Sequence, residues 1–200
     1  MVFKVDPSGT ETVLYSFTGA GDDGDPAFGG LVIDDQGNLY GTTHFGGDPV
    51  CNGGRGCGTV FEVENTGAET VLYSFTGAGG DGAGPSGGVV RDAQGNLYGT
   101  TEAGGEYGGP FGFGKVFEVD TTGKETVLHS FNLTDGYNPI AGLVRDAQGN
   151  FCGATNSGGK GVDGGNGVVF KLTKTGKETV LPRLPGFWEE RLSSAGWCGS

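Results

Sequence analysis

The sequence predicts an all-β fold of tandem four-stranded antiparallel blades, about three and a half of them, forming a partial or open β-propeller-like array. Three observations carry that prediction. One motif recurs along the 200 residues, with Phe3, Phe61, Phe117 and Phe170 at intervals of 58, 56 and 53. Each interval holds four short runs rich in Val, Leu, Tyr, Phe and Thr, parted by glycine-containing turns. No segment before the last 19 residues has the 3.6-residue apolar period of a helix.

Taken in order, the first copy places strands at residues 2–5, 11–17, 31–34 and 37–43. The second places them at 60–63, 69–75, 89–92 and 95–101, and the third at 116–119, 125–131, 143–146 and 149–155. A fourth copy begins at 169–172 and 178–181 and then stops. The resulting units are repeat 1 at 1–58, repeat 2 at 59–114, repeat 3 at 115–167, a partial repeat at 168–181, and an atypical tail at 182–200 with both tryptophans, Trp188 and Trp197. A short amphipathic helix around 188–193 would let that tail cover a blade edge.

The tight turns explain themselves chemically. In Asp34-Asp35-Gln36-Gly37, and again at residues 92–95, the leading Asp accepts backbone N–H groups ahead of it and the Gly supplies the positive φ that closes the hairpin. These aspartates recur wherever the turn recurs, so they are read as structural rather than catalytic. Three and a half blades do not close a ring of about 4–8 blades. The sequence therefore leaves open a fragment of a larger propeller, an open array, or two chains completing a ring by self-association through open strand edges.

Composition narrows the function. The 45 glycines and 8 prolines would by themselves suggest low complexity, but a fixed period turns most of the glycines into punctuation. A net charge of −12 with no basic run excludes nucleic acid as a partner, because phosphate neutralisation needs clustered Lys and Arg. No run approaches the roughly 20 apolar residues of a transmembrane helix. The first residues carry no signal-peptide pattern, and the motif starts within a structural unit.

The segment Val71-Leu72-Tyr73-Ser74-Phe75-Thr76-Gly77, followed by Pro85, Gly87-Gly88 and Gly95-Asn96-Leu97-Tyr98-Gly99-Thr100-Thr101, resembles the GloVer (Gloeo/Verruco) tandem repeat of choice-of-anchor bacterial proteins. The likeness covers about residues 2–181. It implies a propeller-like fold in a secreted or cell-surface bacterial protein, and it supplies no catalytic residues to carry over. Departures from the repeat are His129 in place of Tyr15 and Tyr73, Cys152 in place of Tyr40 and Tyr98, and Asn132-Leu133-Thr134 in place of the Thr-Gly-Ala loop. His129 is read as an aromatic stand-in and Cys152 as a small apolar filler, with Cys198 exposed in the tail.

Candidate site residues fall in the loops. Phe45, Tyr107, Phe111 and Phe113 sit among glycines in the longest connections, where a rigid scaffold usually carries its binding function, and they suit stacking against carbohydrate or a protein ligand. The plainer alternative is that they plug gaps between blades. Asp22, Asp23 and Asp25 cluster as oxygen donors for calcium, with Asp81 and Asp135 at similar places in later copies; the full calcium loop with its terminal Glu is absent. No other cofactor is expected. Cys51 and Cys57 share one loop and suit a disulfide, which fits an oxidising compartment; they lack the second pair that a zinc site needs.

His44 ends a Gly-Thr-Thr strand where a ligand can reach it, yet no serine lies in a Gly-x-Ser-x-Gly elbow, so no triad is argued. Asn132-Leu133-Thr134 matches a glycosylation acceptor that would be silent in a bacterial chain. The reading that results is a non-enzymatic extracellular or cell-surface scaffold or binding module. The alternative is a propeller hydrolase or lyase acting on polysaccharide, with the acidic loop residues as acid and base.

Overall fold

The computed structural model describes residues 1–19, 23–24, 29–109, 111–159 and 166–181. Its strands in chain order are β1 (Val2–Val5), β2 (Glu11–Tyr15), β3 (Val32–Ile33), β4 (Leu39–Thr43), β5 (Thr59–Val63), β6 (Glu69–Ser74), β7 (Gly82–Ala83), β8 (Val90–Arg91), β9 (Leu97–Thr101), β10 (Ala103–Gly104), β11 (Lys115–Val119), β12 (Glu125–Ser130), β13 (Val144–Arg145), β14 (Phe151–Ala154), β15 (Val169–Leu172) and β16 (Glu178–Val180). Three antiparallel meanders form, β3-β4-β5-β6, β8-β9-β11-β12 and β13-β14-β15-β16, here called the first, second and third blades. The hairpin β1-β2 precedes them as a separate two-stranded sheet, and none of the sheets closes on itself. The protein is thus all-β and propeller-like, with three whole blades and a half-blade.

Hydrogen bonding groups the strands half a period away from where self-alignment starts. β5 and β6 open the second sequence copy, yet they pair with β4 and complete the first blade. A period read from sequence has no natural origin, whereas a sheet begins where pairing begins.

An up-and-down meander also sorts its connections by face. The tight turns between β3 and β4, β5 and β6, and their counterparts lie at one end of the blades. The long loops β4–β5 and β9–β11 share the opposite end with the crossings between blades. On the tight-turn face, Asp34 Oδ1 accepts the backbone N–H of Gln36 and of Asn38, both at 2.9 Å. Asp92 and Asp146 repeat this with Gln94 and Asn96, and with Gln148 and Asn150.

The same aspartates lock the strands. The Tyr40 hydroxyl lies 3.0 Å from Asp34 Oδ2 and 3.1 Å from Glu62 Oε1, and Tyr98 bridges Asp92 and Glu118 in the same way. Burial, reinforced by these carboxylates, pushes the Tyr40 phenol up to about 12. In the third blade both partners change together: Cys152 replaces the tyrosine, and Lys171 replaces the glutamate and reaches Asp146 Oδ2 at 3.1 Å. The Asn150 amide, opposed by burial and helped by Lys171, holds the Asp146 carboxyl at about 2. Cys152 is disulfide-bonded, so it is not the plain apolar filler the strand position suggested.

Glycine inside a strand has a packing reason here. Gly41, Gly99 and Gly153 pair across the ladder with Phe61, Phe117 and Phe170, which are all 0% exposed. A Cβ at these glycines would stand 2.7, 2.6 and 2.6 Å from the tip of the facing ring, so the ring occupies the side-chain space the glycine leaves.

Blades stack through a repeated aromatic contact. Phe17 meets Phe61 edge-on with centroids 4.9 Å apart, and Phe75–Phe117 and Phe131–Phe170 repeat it at 5.0 Å. Thr42 Oγ1 donates to the Gly87 carbonyl and Thr100 Oγ1 to Ala141, tying each blade to the start of the next. No helix among the described residues is long and apolar enough to cross a membrane.

Candidate functional site

The loop face carries a cleft of about 270 Å³ between the first and second blades. Its walls come from three connections: β4–β5 supplies His44, Phe45 and the Cys51–Cys57 pair, the blade crossing supplies Gly77 and Gly84, and β9–β11 supplies Glu102 and Phe111. Cys51 and Cys57 are joined, with Cα atoms 5.6 Å apart, and the bridge cinches a loop of positive-φ residues, Asn52, Gly53, Gly54 and Gly56. Gly77 lies against the sulfurs, where a Cβ would come within 3.0 Å of Cys51 Sγ.

Of the four aromatic candidates, the structure brings Phe45 and Phe111 to this cleft. Phe45 is half-buried, meets the His44 ring edge-on at 4.4 Å, and has the Arg55 guanidinium 3.9 Å above its face. Phe111 is 80% exposed at the rim, a cost in water that a stacking ligand would recover. Tyr107 is exposed and does not line the cleft. Phe113 packs inward against the core of the second and third blades, 5.5 Å from Tyr137, as a gap-filling ring does.

Two polar residues of the site were not singled out from the sequence. Ser86 Oγ lies 3.2 Å from His44 Nδ1 and donates at 3.2 Å to Glu102 Oε2, and His44 Nε2 lies 3.3 Å from Glu102 Oε1. The three side chains form a closed triangle rather than a line. Serine contacts both partners at once, so its proton is held by the carboxylate as well as facing the imidazole. Such a triangle presents an acceptor and a donor beside an aromatic surface, a combination suited to polyhydroxylated ligands.

A second set of titratable groups recurs at each seam between blades. Asp23, Asp81 and Asp135 each cap the chain, with Oδ2 of Asp23 and Asp81 accepting the N–H of Thr18 and Thr76, and Oδ1 of Asp135 accepting that of Asn132. A glutamate, Glu69, Glu125 or Glu178, belongs to each of these seams. In the middle seam the ammonium of Lys115, 0% exposed, sits 2.8 Å from Asp81 Oδ1 and 2.8 Å from Glu125 Oε1. The matching positions are Thr59 and Val168, which carry no charge. Burial, with Asp23 nearby, raises the Glu69 carboxyl, and burial with Asp135 pushes Glu178 up to about 7.

Of the calcium candidates, Asp22 and Asp25 lie outside the described residues. Asp23 spends Oδ2 on Thr18 and Oδ1 on the Gly24 N–H. Among the described residues, the one group of three side chains whose potential ligand atoms lie within 4.8 Å of one another is His129, Asp135 and Glu178.

Comparison with known proteins places these features in context. No curated protein matches the chain. Among solved structures, it is similar to a gluconolactonase-family protein at 16% identity, covering 88% of this chain and 53% of that one, TM-score 0.49. It is also similar to a luciferin-regenerating enzyme at 15% identity, covering 76% and 44%, TM-score 0.46. A gluconolactonase of Xanthomonas campestris is 14% identical, covering 92% and 69%, TM-score 0.38. The chain spans about half the length of the first two of these structures. The Gloeobacter/Verrucomicrobia repeat matches residues 1–170, and the chain belongs to that repeat family.

Proposed function

We propose that the chain is a non-enzymatic repeat scaffold acting outside the cell, whose cleft between the first and second blades binds carbohydrate. The observation that carries this is the pairing of Phe45 and an 80% exposed Phe111 with the Ser86–His44–Glu102 triangle in one cleft. A sugar ring offers an apolar face to the aromatic rim and hydroxyls to a carboxylate and an imidazole. The Cys51–Cys57 pair in the cleft wall suits an oxidising, extracellular setting.

Binding to immobilised glycans tests the reading. Phe111→Ala, at a position exposed enough to spare the core, should weaken retention about tenfold or more, in line with the roughly 0.5–1.5 kcal/mol of an aromatic contact plus its buried area. Retention of peptides but not glycans, or no effect of Phe111→Ala, would overturn it.

A second reading follows from the same triangle: the cleft hydrolyses its ligand, with Ser86 as nucleophile and His44 as base. It predicts cleavage of an ester, such as one carried by an acylated glycan, that Ser86→Ala abolishes. The acid-base pair first expected from Asp22, Asp23 and Asp25 has less in its favour, since both carboxylate oxygens of Asp23 are engaged by the chain itself.

A further inference from the structure

We propose that His129, Asp135 and Glu178 form a binding site for a divalent transition-metal ion that clamps the outer strands of the second and third blades. His129 lies on β12 of the second blade and Glu178 on β16 of the third, while Asp135 comes from the connection between the blades. His129 Nε2 is 3.4 Å from Asp135 Oδ2, about the edge length of a tetrahedron with metal–ligand bonds near 2.0–2.1 Å.

The local chemistry is incomplete without a cation. His129 Nε2 and Glu178 Oε1 each have less than 1 Å² of accessible surface and no hydrogen-bond partner. Buried polar atoms are rarely left so, because each orphan costs about 1–3 kcal/mol. Asp135 is held in position by Asn132, whose amide donates to Oδ2 at 2.6 Å and whose backbone N–H donates to Oδ1 at 2.7 Å. Outer hydrogen bonds of this kind orient metal-ligating carboxylates. The side chains of His129 and Asp135 are 17% and 16% exposed.

The neighbouring seam shows what belongs there. At the matching position the Lys115 ammonium sits between Asp81 and Glu125 and pairs with both. The next seam keeps the two carboxylates, exchanges the lysine for Val168, and exchanges the neighbouring tyrosine for His129. An organic cation is lost where an imidazole is gained. The preceding seam, with Thr59 and Tyr15, lacks the lysine but also lacks the imidazole. One nitrogen and two carboxylate ligands with open positions suit zinc or a similar first-row ion better than calcium, which prefers oxygen alone.

The test is titration of the tag-free, oxidised full chain with Zn²⁺ alone, followed by calorimetry and by thermal unfolding with and without EDTA. One ion should bind per chain and raise Tm. His129→Tyr, which restores the residue of the other seams, should weaken binding about 10–100-fold or more. Val168→Lys, which rebuilds the internal cation, should abolish the Zn²⁺ response while leaving Tm in EDTA at or above that of the parent. Failure of the parent to respond at millimolar Zn²⁺, or a response in either variant equal to that of the parent, would overturn the assignment. Should Val168→Lys misfold, His129→Tyr decides alone.

Discussion

Removing the ammonium of Lys115 is the sharpest test of how the blades are held together. Lys115 is fully buried, with Nζ 2.8 Å from Asp81 Oδ1, 2.8 Å from Glu125 Oε1 and 5.5 Å from the centre of the Phe75 ring. Lys115→Met keeps the volume and deletes the charge. Asp81 keeps its bonds from Thr76 and Gly82, but the Glu125 carboxylate is left buried beside another negative charge. Breaking a buried pair in this way costs about 3–5 kcal/mol, a large part of a total stability of about 5–15 kcal/mol. For a chain of this size that lowers Tm by about 6–20 °C.

The loss should also depend on pH. With the lysine gone, the Glu125 carboxyl should rise as those of Glu69 and Glu178 do, where no lysine is present. A carboxyl with a raised folded pKa binds more protons folded than unfolded, so the variant loses stability as pH climbs past the ordinary glutamate value and regains it on acidification. Urea melts at pH 5 and pH 8 read this directly. The double variant Lys115→Met with Glu125→Gln should recover much of the loss. A single-variant loss below about 1 kcal/mol, or one equal at both pH values, would refute the reasoning.

Three further outcomes are expected. Gly99→Ala places a methyl 2.6 Å from the Phe117 ring tip and should destabilise by about 1–3 kcal/mol through overpacking, measurable by chemical denaturation. Asp146→Asn should flatten the acid limb of the stability profile, because a carboxyl lowered from 3.8 to about 2 gives stability that is present above its ordinary value and is lost as pH falls toward 2. Cys51→Ser with Cys57→Ser should cost about 2 kcal/mol, the small loop entropy of a six-residue separation, and should weaken glycan retention more than Tm suggests, since the bridge shapes the cleft wall.

The strands were legible because their signals are redundant. Phe61, Phe117 and Phe170 recur with their facing glycines, and each tight turn repeats its closing Gly, most of them with a leading Asp. The grouping of strands into blades was not, since it depends on which hairpins pair, and both hairpins of a period look alike in sequence. Phe45 and Phe111 stood out as aromatic residues in glycine-rich loops. Ser86 and Glu102 did not, being single polar residues 16 positions apart that fold back together. The seam lysine was missed because the informative position, held by Thr59, Lys115 or Val168, directly precedes the recurring Val-Phe pair. Comparing that position across copies would have shown a charge appearing once and vanishing again.

The sorting of connections by face has a consequence for how such a chain can diversify. At one end the hairpins are pinned by aspartates that fold and lock in the same act, so a change there is felt throughout its blade. At the other end the loop bases are stitched to the blades, but the loop tips at residues 52–55 and 106–109 are exposed, and the loop lengths differ from copy to copy. New recognition surfaces can therefore arise by altering one end of the molecule while the other preserves the fold. A library built by exchanging the exposed residues 52–55 or 106–109 should yield folded proteins far more often than one built at residues 34–37 or 92–95.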